Sequence, residues 1–182
     1  FLDKADPNGG RAKAIWSKLE PALPRILDHF YAHIQNQPHL NAILQGSQQG
    51  VAKLKASQTE HWRAMFCSPV DDAFDARARK VGEAHVRIGL TSDWFIAGYG
   101  VVLMEAIPAI LQAHRFTPHR AAGDLQILIS RMFLDMGVAD ATYSMGVNQQ
   151  ESQSWREEND YTSLRTVAST IVELNEVTVS YT

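Results

Sequence analysis

The chain has 182 residues, enough for one sizeable core or for one domain with a long extension. Hydrophobic residues make up 45% of it, the proportion of a soluble globular protein, so disorder is not the starting expectation. The formal charge of −3, with no Lys/Arg cluster, speaks against a nucleic-acid partner, and a lone cysteine, Cys67, excludes an internal disulfide or a cysteine-rich metal site. That cysteine usage, and the lack of a signal-peptide pattern at Phe1, fit a reducing, cytoplasmic setting.

Strand signals are almost absent, and helical periods separated by proline and glycine fill the chain. A short first helix is expected over about residues 11–19. Pro21 and Pro24 suit the first turn of a second, which places Leu23, Leu27, Tyr31 and Ile34 on one side with Ile26 and Phe30 beside them. Pro38 is expected to close that helix, leaving a brief apolar segment over 40–44 before a polar turn at 45–49. A helix over about 50–66 directs Val51, Leu54, Gln58, Trp62 and Met65 inward, with His61 at one edge. Ser68-Pro69 breaks it, and Asp71-Asp72 supplies acidic residues suited to the next helix N-terminus.

On that next helix Phe74, Ala78, Val81, His85 and Ile88 recur at spacings of 4, 3, 4 and 3, the stripe of a helix facing a core. A histidine therefore sits where an apolar residue is expected. Gly82 and Gly89 lie three before and four after it, on the same face. Glycine inside a helix costs roughly 1 kcal/mol against alanine, so Gly82 needs a reason. One reason is a broad, flat partner against this face, and a neutral imidazole aimed into an apolar pocket suits an axial haem ligand. The other reading is a hydrogen-bonded core histidine, with Gly89 simply ending the helix in a left-handed turn. The pattern alone leaves both open.

Thr91-Ser92-Asp93 offers caps for a long apolar helix over 93–114, with Pro108 as a candidate kink. Glu105 and Pro108 make it a buried helix rather than a membrane span. Phe116-Thr117-Pro118 breaks the chain again, and a last long helix runs from 118 at least to 146. Beyond about Asn148 the chain turns polar. Then Leu164, Val167, Ile171, Leu174, Thr178 and Tyr181 mark a heptad seam, either an amphipathic helix packed on its own domain or a parallel coiled coil. The expected organisation is a domain over 1–150 and a linker or coiled-coil helix over 151–182 leading toward an output domain.

The order of these parts resembles the sensor domain of the globin-coupled sensors, relatives of the protoglobins. The matching pieces are His29-Phe30-Tyr31, the run from Gln58 to Phe66 with His61-Trp62-Arg63 at its centre, Gly82 to Leu90, and Trp94-Phe95-Ile96-Ala97-Gly98-Tyr99. They span most of residues 11–150. The resemblance implies an all-α, globin-like helical sandwich with a C-terminal linker helix, holding haem b. On it, His85 corresponds to the proximal iron ligand and Tyr31 to a distal tyrosine, while Leu54 falls near the distal position of the following helix. Gly82 joins them as the small residue beside the cofactor. Phe95 stands where some relatives have tyrosine; it cannot hydrogen-bond, which puts that contact's signalling role in question.

Haem held by one neutral histidine leaves a position for O2, CO or NO. A phenolic donor in a low-dielectric pocket favours O2, whose outer atom takes on more negative charge than that of CO; such a bond contributes about 1.5–3 kcal/mol. His61 is the rival second ligand, although the resemblance sets it toward the far end of its helix. No nucleophile–base motif, phosphate loop or paired acid appears, so a non-enzymatic oxygen sensor is expected. The alternatives are a gas-handling globin with NO dioxygenase or peroxidase-type activity, and a cofactor-free helical dimerisation module. The resemblance further implies a homodimer through the last two long helices, without membrane contact. Its signal would pass to a methyl-accepting chemotaxis domain, a diguanylate cyclase or a kinase.

Overall fold

Seven helices and no strand form among the described residues of the computed structural model, which are 6, 9–47 and 50–150, with side chains as far as Ser144. They are α1 (Gly10–Leu19), α2 (Leu23–Asn36), α3 (Pro38–Gly46), α4 (Val51–Cys67), α5 (Asp72–Arg87), α6 (Ser92–Ala113) and α7 (Pro118–Gln150). Most boundaries have local chemical causes. Asp6 accepts the Ala12 N–H at 2.7 Å ahead of α1, and Gly9 takes the left-handed turn with φ 69° that starts it. Asp71 caps α5 by accepting the Phe74 N–H at 2.9 Å, with Asp72 and Asp75 in the first turn.

Pro38 does the opposite of what its position in the sequence suggested. α2 already ends at Asn36, Gln37 is extended at φ −98° and ψ 114°, and Pro38 opens α3. Proline's φ is pre-set for a first helical turn, where its missing N–H would lack an intrahelical partner anyway. The apolar stretch 40–44 is thus helical, with Leu40 buried. Pro108, by contrast, lies within α6 without ending it.

One core joins α1, α2, α4, α6 and α7, with Phe74 of α5. Trp16 of α1 stacks on Phe66 of α4 at 6.4 Å, and Ile26, Ile110 and Leu128 from three other helices are fully enclosed. By length and composition alone α6 could cross a membrane. In the fold it packs on α1 and α2 and buries Phe95, Val102, Ala106 and Ile110.

Two buried polar ties fasten α7 to its neighbours. The Arg131 guanidinium donates to the carbonyls of Met65 at 3.4 Å and Ser68 at 3.2 Å, satisfying the C-terminal end of α4. Asp124 accepts from Lys18 of α1 and from His114 Nε2 at 2.8 Å. Burial would raise the Asp124 pKa, but these hydrogen bonds outweigh it and hold the carboxyl below its ordinary value. His114 is therefore a buried structural residue that also pairs with Thr117 at 3.0 Å. Contacts divide the chain after Met145. The heptad seam beyond residue 164 lies outside the described residues.

Candidate functional site

The last turn of α5 determines where the central histidine sits. Ile88 leaves helical dihedrals at φ −86° and ψ 3°, and Gly89 turns left-handed at φ 77°. The Leu90 N–H then reaches the His85 carbonyl at 3.1 Å and the Gly89 N–H reaches Val86 at 3.0 Å. This is the six-to-one and five-to-two pair of a Schellman ending, which explains Gly89 fully. Because the helix unwinds there, Ile88 is 51% exposed and drops out of the expected inward stripe. The buried line of α5 is instead Phe74, Ala78 and Gly82.

His85 is half-buried beside that line. Its Nδ1 donates to the Val81 carbonyl one turn back at 2.8 Å. A carbonyl can only accept, so the proton belongs on Nδ1 and the neutral ring keeps its Nε2 lone pair free. The pKa is lowered, chiefly by burial, with the positive potential of His61 adding to the effect and the Val81 bond opposing it. The ring is thereby prepared as a neutral nitrogen donor.

Gly82 is accounted for differently from the sequence reading. A Cβ at Gly82 would overlap the Ala139 carbonyl oxygen and the Thr142 hydroxyl of α7, and would come within 2.9 Å of the Ala139 carbonyl carbon. The flat neighbour is thus the backbone of α7. Gly82 is a helix-crossing residue, a spacer between α5 and α7. Thr142 donates to the same Ala139 carbonyl at 2.7 Å, so both groups at the crossing are occupied.

Behind His85 lies an aromatic layer. The Phe95 ring centroid is 5.1 Å from the His85 ring, 5.2 Å from Tyr99 and 5.4 Å from Tyr143. Tyr99 carries this layer to a polar centre that the sequence reading did not find. A single oxygen of Asp135, Oδ2, accepts the Tyr99 hydroxyl at 2.6 Å and His61 Nε2 at 2.9 Å. Asp135 is only 1% exposed. One signal for it did exist: Leu128, Met132, Asp135 and Ala139 share one helical stripe, so an acid occupies a core register. His61, weighed as a rival ligand, has its Nε2 engaged here.

Tyr31 lies on α2, buried, its ring 5.3 Å edge-on from Phe30 and 5.7 Å from the Lys55 ammonium of α4. Leu54, adjacent to Lys55, is half-buried on the same first turns of α4. The Tyr31 hydroxyl makes no hydrogen bond among the described residues, and burial pushes its pKa up to about 12. It is therefore a protonated donor. One turn beyond Leu54, Gln58 Oε1 is buried without a partner, an arrangement that ordinarily costs about 1–3 kcal/mol. No group of three or more His, Cys, Asp or Glu able to hold a bare metal ion occurs among the described residues.

The family model of the protoglobins matches residues 10–146. The chain belongs to the protoglobin family. Among solved structures it is similar to the globin domain of a globin-coupled sensor from Geobacter sulfurreducens. The TM-score is 0.67 at 20% identity, over 74% of this chain and 88% of that one. The ferric globin domain of E. coli DosC is similar at a TM-score of 0.59 and 23% identity, over 79% of this chain and 93% of that one. These likenesses establish the all-α, globin-like fold. The protoglobin cofactor is haem b, and the residues present suit it: one neutral imidazole with a free Nε2 and one unpartnered phenolic donor.

The Gly82 crossing is open to a direct check. Gly82→Ala should lower the free energy of unfolding by about 1–3 kcal/mol through overpacking, more than the roughly 1 kcal/mol it gains in helix propensity. Urea denaturation measures this. A variant as stable as the parent would mean that α5 and α7 are not in backbone contact.

Proposed function

We propose that this protoglobin is the oxygen-sensing domain of a signal-transduction protein, holding haem b through His85 Nε2. The observation that carries the proposal is the tautomer enforced on His85 by Val81, which leaves one unprotonated ring nitrogen at the end of α5 in a protoglobin fold. Haem iron so ligated offers a coordination position to O2, CO or NO.

The protein's own residues supply selectivity. Tyr31 stays protonated across the physiological range, so its hydroxyl is available as a donor on the distal side. Leu54 adds an apolar side chain on α4 beside Lys55, whose ammonium lies 5.7 Å from the Tyr31 ring. No residue of the site pairs a nucleophile with a base, and the role is binding rather than catalysis.

Signalling would pass through α6 and α7. Ile96, Met104 and Leu111 are exposed on α6 at near-heptad spacing, and Ile129 and Phe133 are exposed one turn apart on α7. Apolar side chains so arranged suit a homodimer of paired helices. The heptad tail over 151–182 would carry the change onward to a cytoplasmic transmitter of the methyl-accepting, cyclase or kinase type.

Three measurements test this reading. His85→Ala should abolish the Soret band of protein purified with haem present, and unchanged haem content would remove His85 from the site. Tyr31→Phe should speed oxygen dissociation by about ten- to a hundred-fold, the loss of one hydrogen bond to a charged acceptor. An unaltered off-rate would eliminate Tyr31 as the donor. Met104→Glu combined with Phe133→Glu should shift sedimentation from dimer to monomer; a parent protein already monomeric at micromolar concentration would overturn the dimer.

A further inference from the structure

We propose that Tyr99, Asp135 and His61 are positioning residues for the His85 imidazole, acting on it through the Phe95 ring. Each of the three comes from a different helix, α6, α7 and α4, and all meet at one carboxylate oxygen. Burying a carboxylate is costly unless it is paired and hydrogen-bonded, so a core of Leu128, Met132 and Ala139 gains nothing in simple packing from an acid at 135. What the acid supplies is a fixed point. It holds the Tyr99 hydroxyl at 2.6 Å and so sets the ring that Phe95 rests on.

The contacts run without a gap. The Tyr99 ring meets Phe95 edge-on at 5.2 Å and 70°, and the Phe95 ring meets the His85 ring at 5.1 Å and 55°. Tyr143 closes Phe95 from α7 at 5.4 Å. Phe95 has no polar atom, so its link to His85 is steric, and the hydrogen-bonding function moves one helical turn along α6 to Tyr99. A tilt of the imidazole must displace Phe95, and Phe95 cannot move without straining the Tyr99–Asp135 bond. The other arm of Asp135 ends on His61 of α4, the helix that also carries Leu54 and Gln58. Helices α4, α6 and α7 thereby share one buried polar centre, while α7 carries the apolar surface of Ile129 and Phe133.

The inference rests on His85 being the haem ligand, and its test separates the two. Tyr99→Phe removes one hydroxyl and keeps the ring on Phe95. In the haem-loaded ferrous protein this variant should shift the iron–histidine stretching band in resonance Raman spectra and change the oxygen off-rate about threefold or more. With Phe95→Leu as background the same substitution should leave both unchanged, because the contact that transmits it is gone. Asp135→Asn, if it folds, should move the band in the same direction. A Tyr99→Phe protein with a normal Soret band but an unmoved stretching band would overturn the positioning role alone. So would equal effects in both backgrounds. Failure of the parent chain to take up haem would overturn this inference together with the reading beneath it.

Discussion

Everything in the site depends on two helices touching backbone to backbone. α5 crosses α7 at Gly82, where the Ala139 carbonyl and the Thr142 hydroxyl leave no volume for a side chain. That contact sets the depth of α5 over the core, and the Schellman ending three to five residues beyond His85 sets where the helix stops. Between these two constraints His85 has little freedom. Its ring is tied to its own helix at Val81 and bounded by Phe95 of α6. A one-residue slip of α5 would put a Cβ at the crossing and turn the imidazole away from Phe95.

Polar groups in the interior divide into two kinds. Arg131, Asp124 and His114 are satisfied and hold α7 to α1, α4 and the end of α6. These are structural ties, each completing the hydrogen bonding of groups that folding removes from water. Gln58 Oε1, one guanidinium nitrogen of Arg77 and the Tyr143 hydroxyl are buried with no partner among the described residues. A folded protein seldom leaves such groups unmatched without a use for them. These three stand on α4, α5 and α7. The satisfied set builds the scaffold.

What could be read from the sequence was what the chain decides locally. The Asp71 cap, the left-handed Gly89, the buried face of α6 and the donor type at His85 all follow from spacing and residue chemistry over a few positions. Pro38 misled because one proline both follows α2 and begins α3, and the extended Gln37 between them has no signature of its own. Gly82 was rightly singled out as needing a reason, yet the reason lies 57 residues away on α7. Asp135 was missed for the same cause: its partners are 36 and 74 residues distant, and only the folded packing of three helices brings them to one oxygen. The one local sign, an acid in the register of Leu128, Met132 and Ala139, does not say which partners it meets.

The acceptor chosen for the His85 Nδ1–H has an electronic consequence. A peptide carbonyl pulls on that proton far less than a carboxylate would, so the ring gains little imidazolate character and stays a moderate electron donor. Strong donation to iron is what helps break a dioxygen or peroxide bond. Were His85 to ligate haem iron as proposed, an imidazole bonded to a carbonyl would suit holding and releasing a gas intact, favouring reversible occupancy over oxidation chemistry.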